Sequence, residues 1–394
     1  MKDSRVPDWD PTSDSVLGNQ CGAYDQMRRR CPVAYSDLLG WSVFRHADVV
    51  HVLQDPATFS SAVSQHRSVP SGMDPPEHGA YRRSIEPYFS EERMRSFAPV
   101  CRQIARALLE PRVDQGPFDY VEAFATPFAL RCQCAFLGWP DALLEPIRQW
   151  ARKNREATRA SDRTAQAEIA REFRSHVAEL LASRRRAGAD APDDVTLRLM
   201  QTRVNGGTLS DEELGSILRN WTVGEVDSLA AAVGILAHAL ASDGTLQGRL
   251  RAEPQRLPGA IDEILRVMGP LVLNRRLATR DVELGGRHIS KGDRLSLMWL
   301  SANRDERVFE KPEEIRLERE AQQNLLYGAG IHVCPGAPLA RLELQLAMEE
   351  LLRCAQQIEL SVDTPGQPAT YPANGWVSLA LTLVSSDPAK RRIA

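Results

Sequence analysis

The amino-acid sequence of 394 residues has no long apolar run that would predict a membrane span. Its longest apolar stretch, from Leu229 to Leu240, is too short for a span and contains His238. The first residues, MKDSRVPDWDPTSDS, include no apolar segment like that of a secretion signal. The charge is balanced, with 49 basic and 52 acidic side chains, which disfavours nucleic acid and membrane surfaces as partners. We therefore expect a soluble, cytoplasmic protein.

The sequence also offers little for a disulfide framework. Seven cysteines are an odd number, and a long chain without a secretion signal normally keeps its thiols reduced. Most of these thiols are expected to be buried as small apolar side chains. They are Cys21, Cys31, Cys101, Cys132, Cys134, Cys334 and Cys354.

Strand patterns are few, whereas apolar residues at helical spacing recur along the chain. Strands are predicted for a hairpin over 281–290, with its turn at Gly285 and Gly286, for the residues DRLSLMWL that follow, and for the tail 376–384. No linker, repeat or low-complexity tract interrupts the pattern. We predict one mainly α-helical domain with minor β structure over residues 1–394. The predicted helices cover 20–30, 46–54, 76–88, 92–112, 120–137, 140–158, 163–186, 210–242, 257–268 and 337–356.

One cysteine, Cys334, lies in an unusual loop, YGAGIHVCPGAPLAR, at residues 327–341. Glycines at 328, 330 and 336 allow the backbone to bend and to approach a bulky neighbour closely. Pro338 suits the first turn of the helix that follows, and a thiolate at that helix start would be stabilised as the anion. A buried thiol in a glycine-rich turn is the simpler reading. A zinc site would need more ligands nearby, whereas haem needs only one thiolate.

The loop resembles the cysteine-ligand loop of the cytochrome P450 family of haem-thiolate monooxygenases, written F-x-x-G-x-x-x-C-x-G. Gly330, Cys334 and Gly336 match this pattern, and Tyr327 stands in place of the usual Phe. The resemblance implies the mainly α cytochrome P450 fold, with haem b between a long oxygen-binding helix and the helix after the cysteine loop. It implies Cys334 as the iron ligand and Tyr327, Gly328 and Gly336 as haem neighbours.

Two further motifs occur in the order that this family shows. Glu263 and Arg266 lie three residues apart in AIDEILRV, and the family adds a second arginine to this pair, for which Arg319 is a candidate. The resemblance assigns haem propionate contacts to His78 and Arg82 in MDPPEHGAYRRSIEPYF, to Arg276, and to His332. Taken alone, Glu263 and Arg266 or His78 and Arg82 would be ordinary helix-surface pairs.

The oxygen-side helix departs from the family pattern. Aligning Gly224 of RNWTVGEVDSLAAAVG with the family glycine puts Val226 at the position of the usual acid and Asp227 at that of the threonine. A shift by one residue, which a widened helical turn would permit, makes Asp227 and Ser228 the acid and the alcohol. We expect Asp227 or Ser228 to deliver protons, with Glu225 feeding them from solvent. Polar residues that only cap a kink are the alternative.

The resemblance implies a monooxygenase that uses O2 to hydroxylate or oxidatively dealkylate a small hydrophobic or aromatic substrate. Since no flavin or iron–sulfur extension is evident, electrons are expected from a separate ferredoxin and an NAD(P)H-dependent reductase. The stretches SVPSGMDPPEH and NLLYGAGIHVCPGAPLARLEL nevertheless resemble the bacterial subgroup that includes reductase fusions. Two alternatives stay open: a peroxide-driven peroxygenase or rearrangement catalyst, and a non-catalytic haem- or ligand-binding protein. Expected substrate contacts are the loop 61–73, helices within 140–186, Val223, Leu271, Val272, Leu273, Trp376 and Val377.

Overall fold

The computed structural model describes residues 6–64, 67–160, 162–320 and 322–385. The first five residues of the N-terminal segment, and Gln65 and His66 of the predicted substrate loop, lie outside these ranges. In chain order the α-helices are α1 Asp14–Leu17, α2 Gln20–Arg30, α3 His46–Gln54, α4 Glu77–Ile85, α5 Glu91–Leu109, α6 Thr126–Leu137, α7 Leu144–Arg159, α8 Arg163–Ala187, α9 Val195–Gln201, α10 Asp211–Val223, α11 Ala230–Ser242, α12 Gly244–Ala252, α13 Leu257–Val267, α14 Trp299–Ala302 and α15 Ala337–Cys354.

The strands are short. They are β1 Val33–Ser36, β2 Gly40–Val43, β3 Phe59–Ser60, β4 Phe118–Asp119, β5 Arg203–Val204, β6 Gly207–Thr208, β7 Leu273–Ala278, β8 Val282–Leu284, β9 Arg287–Ile289, β10 Arg294–Met298, β11 Gln357–Leu360, β12 Gln367–Pro368, β13 Trp376–Ser378 and β14 Ala380–Val384. The fold is therefore mainly α with minor β, as predicted.

The chain divides into two compact units. Unit 1 takes the described parts of Met1–His78, Pro258–Cys334 and Ala369–Gly375. Its five-stranded sheet has the order β1-β2-β10-β7-β3, and β10 runs parallel to β2 while the other neighbours are antiparallel. Apolar side chains of this sheet and of α3 form a buried core that includes Val43, Leu53, Phe59 and Leu297. This sheet and core position the cysteine loop.

Unit 2 is the helical part and takes Gly79–Leu257, Pro335–Pro368 and the described residues from Trp376 onward. Helix α15 packs along α5, and α6 packs against the segment between α10 and α11. Its small sheets are β11-β14-β4, β12-β13 and β5-β6. The apolar faces of these helices supply the core of the unit.

Several helix boundaries follow directly from capping residues. Helix α10 begins with a capping box in which Ser210 and Glu213 satisfy each other's backbone N–H groups. Helix α6 ends at Gly138, whose φ of 74° lies in the left-handed region. The hairpin β8-β9 turns at Gly285 and Gly286, as predicted.

The predicted single helix over 210–242 is two α-helices joined by a π-helical turn at Gly224–Leu229. This is the widened turn that the sequence alignment required for a one-residue shift. Within the described residues, Asp211–Ser242 is also the one helical stretch long and apolar enough to cross a membrane. In the most apolar part of this stretch, 56% is buried inside the protein. A core helix can be as long and as apolar as a membrane span for this reason.

Candidate functional site

The cysteine loop is held in shape by a backbone hydrogen bond and two left-handed glycines. The backbone N–H of Cys334 donates to the carbonyl of Tyr327 over 2.8 Å, and a 3₁₀ turn covers Gly330–His332. Gly328 and Gly330 have φ values of 75° and 70°. A Cβ on Gly330 would collide with the backbone oxygen of Leu53, so both its conformation and its packing require glycine. The Cys334 side chain is exposed.

Gly336 differs from these two glycines. It is the N-cap of α15 with φ −82° and ψ 2°, a conformation open to other residues. The backbone angles of Gly336 therefore do not require glycine, and its close approach to a bulky neighbour stays a prediction. Pro338 lies in the first turn of α15, as predicted.

The two histidines predicted to contact an anion lie together in unit 1. The rings of His78 and His332 have centroids 4.4 Å apart, and the His78 side chain is buried. Arg276 of β7 belongs to the same unit and is only 5% exposed. Its Nη1 donates to the backbone carbonyl of Arg275 over 2.7 Å, and no carboxylate pairs with it anywhere in the described chain.

This buried guanidinium is the clearest chemical signal of the site. Burial lowers the pKa of Arg276, and Asp74 opposes that effect from a distance. An arginine stays charged in proteins, so a buried one without an acid is complemented by an anionic ligand. The propionates of haem are such anions, and Cys334 supplies the thiolate that haem iron takes as a ligand. The donor set of unit 1 thus fits a thiolate-ligated haem.

Arg82 does not share the environment of Arg276. It lies on α4 in unit 2, where its Nε donates to Glu86 Oε1 over 2.8 Å. The predicted propionate contact through Arg82 therefore competes with an ion pair to the residue that follows its helix.

The Glu263 network of unit 1 contains the arginine that the sequence could not assign firmly. Arg266 Nε lies 2.8 Å and Arg319 Nε 2.9 Å from the Glu263 carboxylate. Arg266 also donates to the backbone carbonyls of Asn303 and Pro312. Burial opposes ionisation of Glu263, but its hydrogen bonds from these arginines prevail and lower its pKa. By contrast, Glu145 and Arg148 form an exposed pair.

Glu225 is not the solvent-facing proton source that the sequence suggested. Its side chain is buried, and its carboxyl group lies near that of Glu343 on α15. Burial raises the pKa of both groups, and the charge repulsion from Glu225 raises that of Glu343 further. Two cysteine thiols, Cys101 and Cys132, lie beside Glu343.

Asp227 is the acid of the π-helical turn that reaches a polar environment. Its carboxylate accepts a hydrogen bond of 2.6 Å from Arg155 Nη1 on α7. Burial raises the pKa of Asp227, whereas the charge and hydrogen bond of Arg155 lower it. Ser228 is half-buried and Gly224 is exposed, while Val226 is buried in the core. Asp227 and Ser228 are thus partly accessible on the turn, whereas Val226 points into the core.

The predicted substrate contacts divide by exposure. Val223 and Leu273 are half-buried, and Leu271 and Val377 are exposed. Val272 is fully buried in a core cluster of unit 1, so its side chain is unavailable to a substrate and that prediction is corrected. Trp376 stacks on His238 with ring centroids 4.3 Å apart, which gives it a packing role.

Sequence reasoning missed Glu343 and Arg155. Glu343 lies on the apolar face of α15 between Leu339 and Leu346, so an acid within an apolar stripe was the available signal. Arg155 carried no signal because α7 contains many basic residues on its exposed surface.

Comparison with known proteins gives a consistent result. A family model described as Cytochrome P450 matches residues 143–370. The chain is 32% identical over 339 residues to erythromycin C-12 hydroxylase of Saccharopolyspora erythraea, covering 83% of this chain and 84% of that protein. It is 30% identical over 344 residues to cytochrome P450 109 of Bacillus spizizenii, covering 85% and 84%. The structure of a mutant of P450 EryK in complex with erythromycin B matches with a TM-score of 0.85 at 28% identity, covering 94% and 97%.

Proposed function

Because this chain belongs to the cytochrome P450 family and is a monooxygenase, we propose that it hydroxylates or oxidatively dealkylates an organic substrate with a largely apolar body. The overall reaction consumes the substrate, O2, two electrons and two protons, and it yields the oxygenated product and water. Relatives named as hydroxylases and epoxidases support oxygen insertion as the reaction type. The half-buried and exposed apolar side chains of Val223, Leu271 and Leu273 support an apolar substrate.

The observation that carries the proposal is the buried charge of Arg276. This side chain is 5% exposed, has no acidic partner in the described chain, and belongs to the same unit as the Cys334 loop. A haem of the b type has free propionates, which would pair with the Arg276 guanidinium, and an iron, which would bind the Cys334 thiolate. Arg276, His78 and His332 would hold the propionates, and Cys334 would ligate the iron. When bound, the haem supplies the iron at which O2 is activated.

The protein's own part is to position the substrate and to move protons. Asp227 and Ser228 lie on the exposed side of the π-helical turn and are suited to hold the protons that the reaction consumes. Glu225 and Glu343 are buried in the core of unit 2, so we do not place them on a route from solvent. We infer that Asp227, tethered by Arg155, is the proton-delivering group.

We propose that separate proteins, a ferredoxin and an NAD(P)H-dependent reductase, supply the electrons. We also propose that the protein is located in the cytoplasm. The cysteines of the described chain do not have the spacing of an iron–sulfur site. Product formation with NAD(P)H and such partners is the expected behaviour. Product formation with peroxide alone would point to a peroxygenase instead.

The CO spectrum of the reduced protein tests the haem-thiolate assignment. Wild-type protein should give the red-shifted Soret band of a thiolate-ligated haem, and Cys334→Ala should lose it. Cys354→Ala is the matched control because this partly buried thiol lies near the end of α15, and it should keep the band. Survival of the band in Cys334→Ala would refute the assignment.

A further inference from the structure

Two arginines of unit 2, Arg219 and Arg174, have no acidic partner in the described chain. Arg219 is half-buried on α10, and Arg174 is exposed on α8, which packs against α10. Burial lowers the pKa of Arg219, and the neighbouring charge of Arg174 lowers it further. Neither guanidinium has a hydrogen bond or an ion pair among the described residues. Two positive charges therefore face one another without compensation.

Several acids of the surrounding helices are already paired with other basic residues. Asp227 binds Arg155 at 2.6 Å, and Glu172 binds Lys153 at 2.9 Å. On the same helix as Arg174, Arg185 pairs with Asp211 and Arg171 lies 3.8 Å from Glu168. Arg152 and Arg159 on α7 also have no acid within ion-pair distance among the described residues, but both are exposed, whereas Arg219 is half-buried.

The position of Arg219 on its helix connects it to the candidate reaction site. Arg219, Val223 and Asp227 follow one another at intervals of four residues, so they lie along one side of the helix. Residues on the other side, Leu218 and Thr222, are fully buried. At about 1.5 Å per residue, Arg219 lies about 12 Å along the axis from Asp227. An apolar chain could extend along Val223 between the two.

We propose that Arg219, with Arg174 beside it, binds a carboxylate of the substrate, so that the substrate is an apolar molecule with an acidic end. The planar guanidinium accepts a carboxylate through two parallel hydrogen bonds, which fixes one end of the ligand. The incoming anion would also relieve the repulsion between the two arginines. This proposal rests on the monooxygenase function and narrows its substrate class from hydrophobic molecules to hydrophobic carboxylates.

Matched ligand pairs test the proposal on the haem-loaded protein. Dodecanoate is compared with dodecanamide, and 4-phenylbutanoate with 4-phenylbutanamide, by isothermal titration calorimetry and by the spin-state shift of the Soret band. At least one carboxylate should bind about tenfold or more tightly than its amide, since a hydrogen-bonded charge pair contributes that much. Arg219→Leu should abolish this preference by weakening carboxylate binding, with amide binding unchanged. Arg219→Lys should retain part of it.

Arg171→Leu is the control, because it removes an exposed charge from the same helix as Arg174, and its carboxylate preference should equal that of wild type. Equal binding of acid and amide, a preference that survives Arg219→Leu, or failure of every carboxylate to bind would overturn the proposal. The CO band is recorded on the same preparations. A normal band without carboxylate preference refutes the carboxylate site alone, whereas a missing band refutes the haem-thiolate function.

Discussion

Glu343 and Glu350 lie seven residues apart on α15, and both are fully buried, yet the protein shifts their pKa values in opposite directions. Glu343 faces another carboxyl group, that of Glu225, and burial with this repulsion raises its pKa well above the ordinary value. Burial alone would also raise the pKa of Glu350. Hydrogen bonds from Arg106, Arg353 and Arg102 outweigh burial there and hold it at about 2. One helix therefore carries two buried glutamates whose partners, a carboxyl group for one and three arginines for the other, set the direction of the pKa shift.

Replacing Glu343 by Gln should stabilise the protein increasingly as the pH rises. A carboxyl group with a raised native pKa stabilises the fold fully below its unfolded pKa of 4.5, and this contribution is lost as the pH rises through the native pKa. Each extra proton on the native state lowers stability by about 1.4 kcal/mol per pH unit in that window. Urea unfolding of wild type and Glu343→Gln between acidic and alkaline pH should show a steeper decline for wild type. Parallel curves would contradict a raised pKa of Glu343.

Replacing Glu350 by Gln should have the opposite effect. A carboxylate with a lowered native pKa stabilises the fold above its unfolded pKa of 4.5, and this contribution is lost as the pH falls toward 2. Arg102 and Arg106 lie 2.6 and 2.9 Å from Glu350, and three arginines would lose their shared acceptor. We expect a loss of about 3 kcal/mol at neutral pH, from the size of the pKa shift. The deficit measured by urea unfolding should shrink in acid, and a pH-independent deficit would exclude this mechanism.

Replacing Gly330 by Ala should damage the cysteine loop selectively. Its φ of 70° costs a residue with a side chain about 1–2 kcal/mol, and the added Cβ collides with the backbone of Leu53. We expect a large loss of bound haem per chain and of the CO band. Gly259→Ala is the control because Gly259 lies within α13 with no atom within 4 Å of an added Cβ, so it should keep full haem content. Normal haem content in Gly330→Ala would show that the loop tolerates displacement.

The sequence predicts best what depends on local signals. The hairpin at Gly285 and Gly286 and the Pro338 helix start were found because turn and helix-start residues act within a few positions. Strands β1 and β2 were missed because they are four residues long and are stabilised by partners distant in sequence, such as β10. The π-helical turn was anticipated only through the family pattern.

Side-chain partners across elements were the least predictable part of the site. Glu225 and Glu343 are more than a hundred positions apart, and no local rule brings two acids together, because the core normally excludes them. Arg155 and Asp227 belong to different helices, so the tether on the candidate proton donor required the tertiary structure. In contrast, Arg319 was a candidate for the Glu263 network before its position was known, and its Nε lies 2.9 Å from Glu263.

The ion pair of Asp227 with Arg155 predicts how proton delivery responds to mutation. Asp227→Asn removes the titratable group, so kcat should fall by about 10- to 100-fold and peroxide release should rise, because protons arrive too slowly.

Arg155→Leu removes the cation that lowers the pKa of Asp227, so this pKa should rise further. Asp227 would then stay protonated to higher pH, and the alkaline limb of the profile of kcat against pH should shift to higher pH. Arg148→Leu, which breaks only the exposed pairs with Glu145 on α7 and with Glu122, should leave the profile unchanged. If Asp227→Asn does not raise peroxide release and Arg155→Leu leaves the alkaline limb in place, protons must reach the site through Ser228 or bound water.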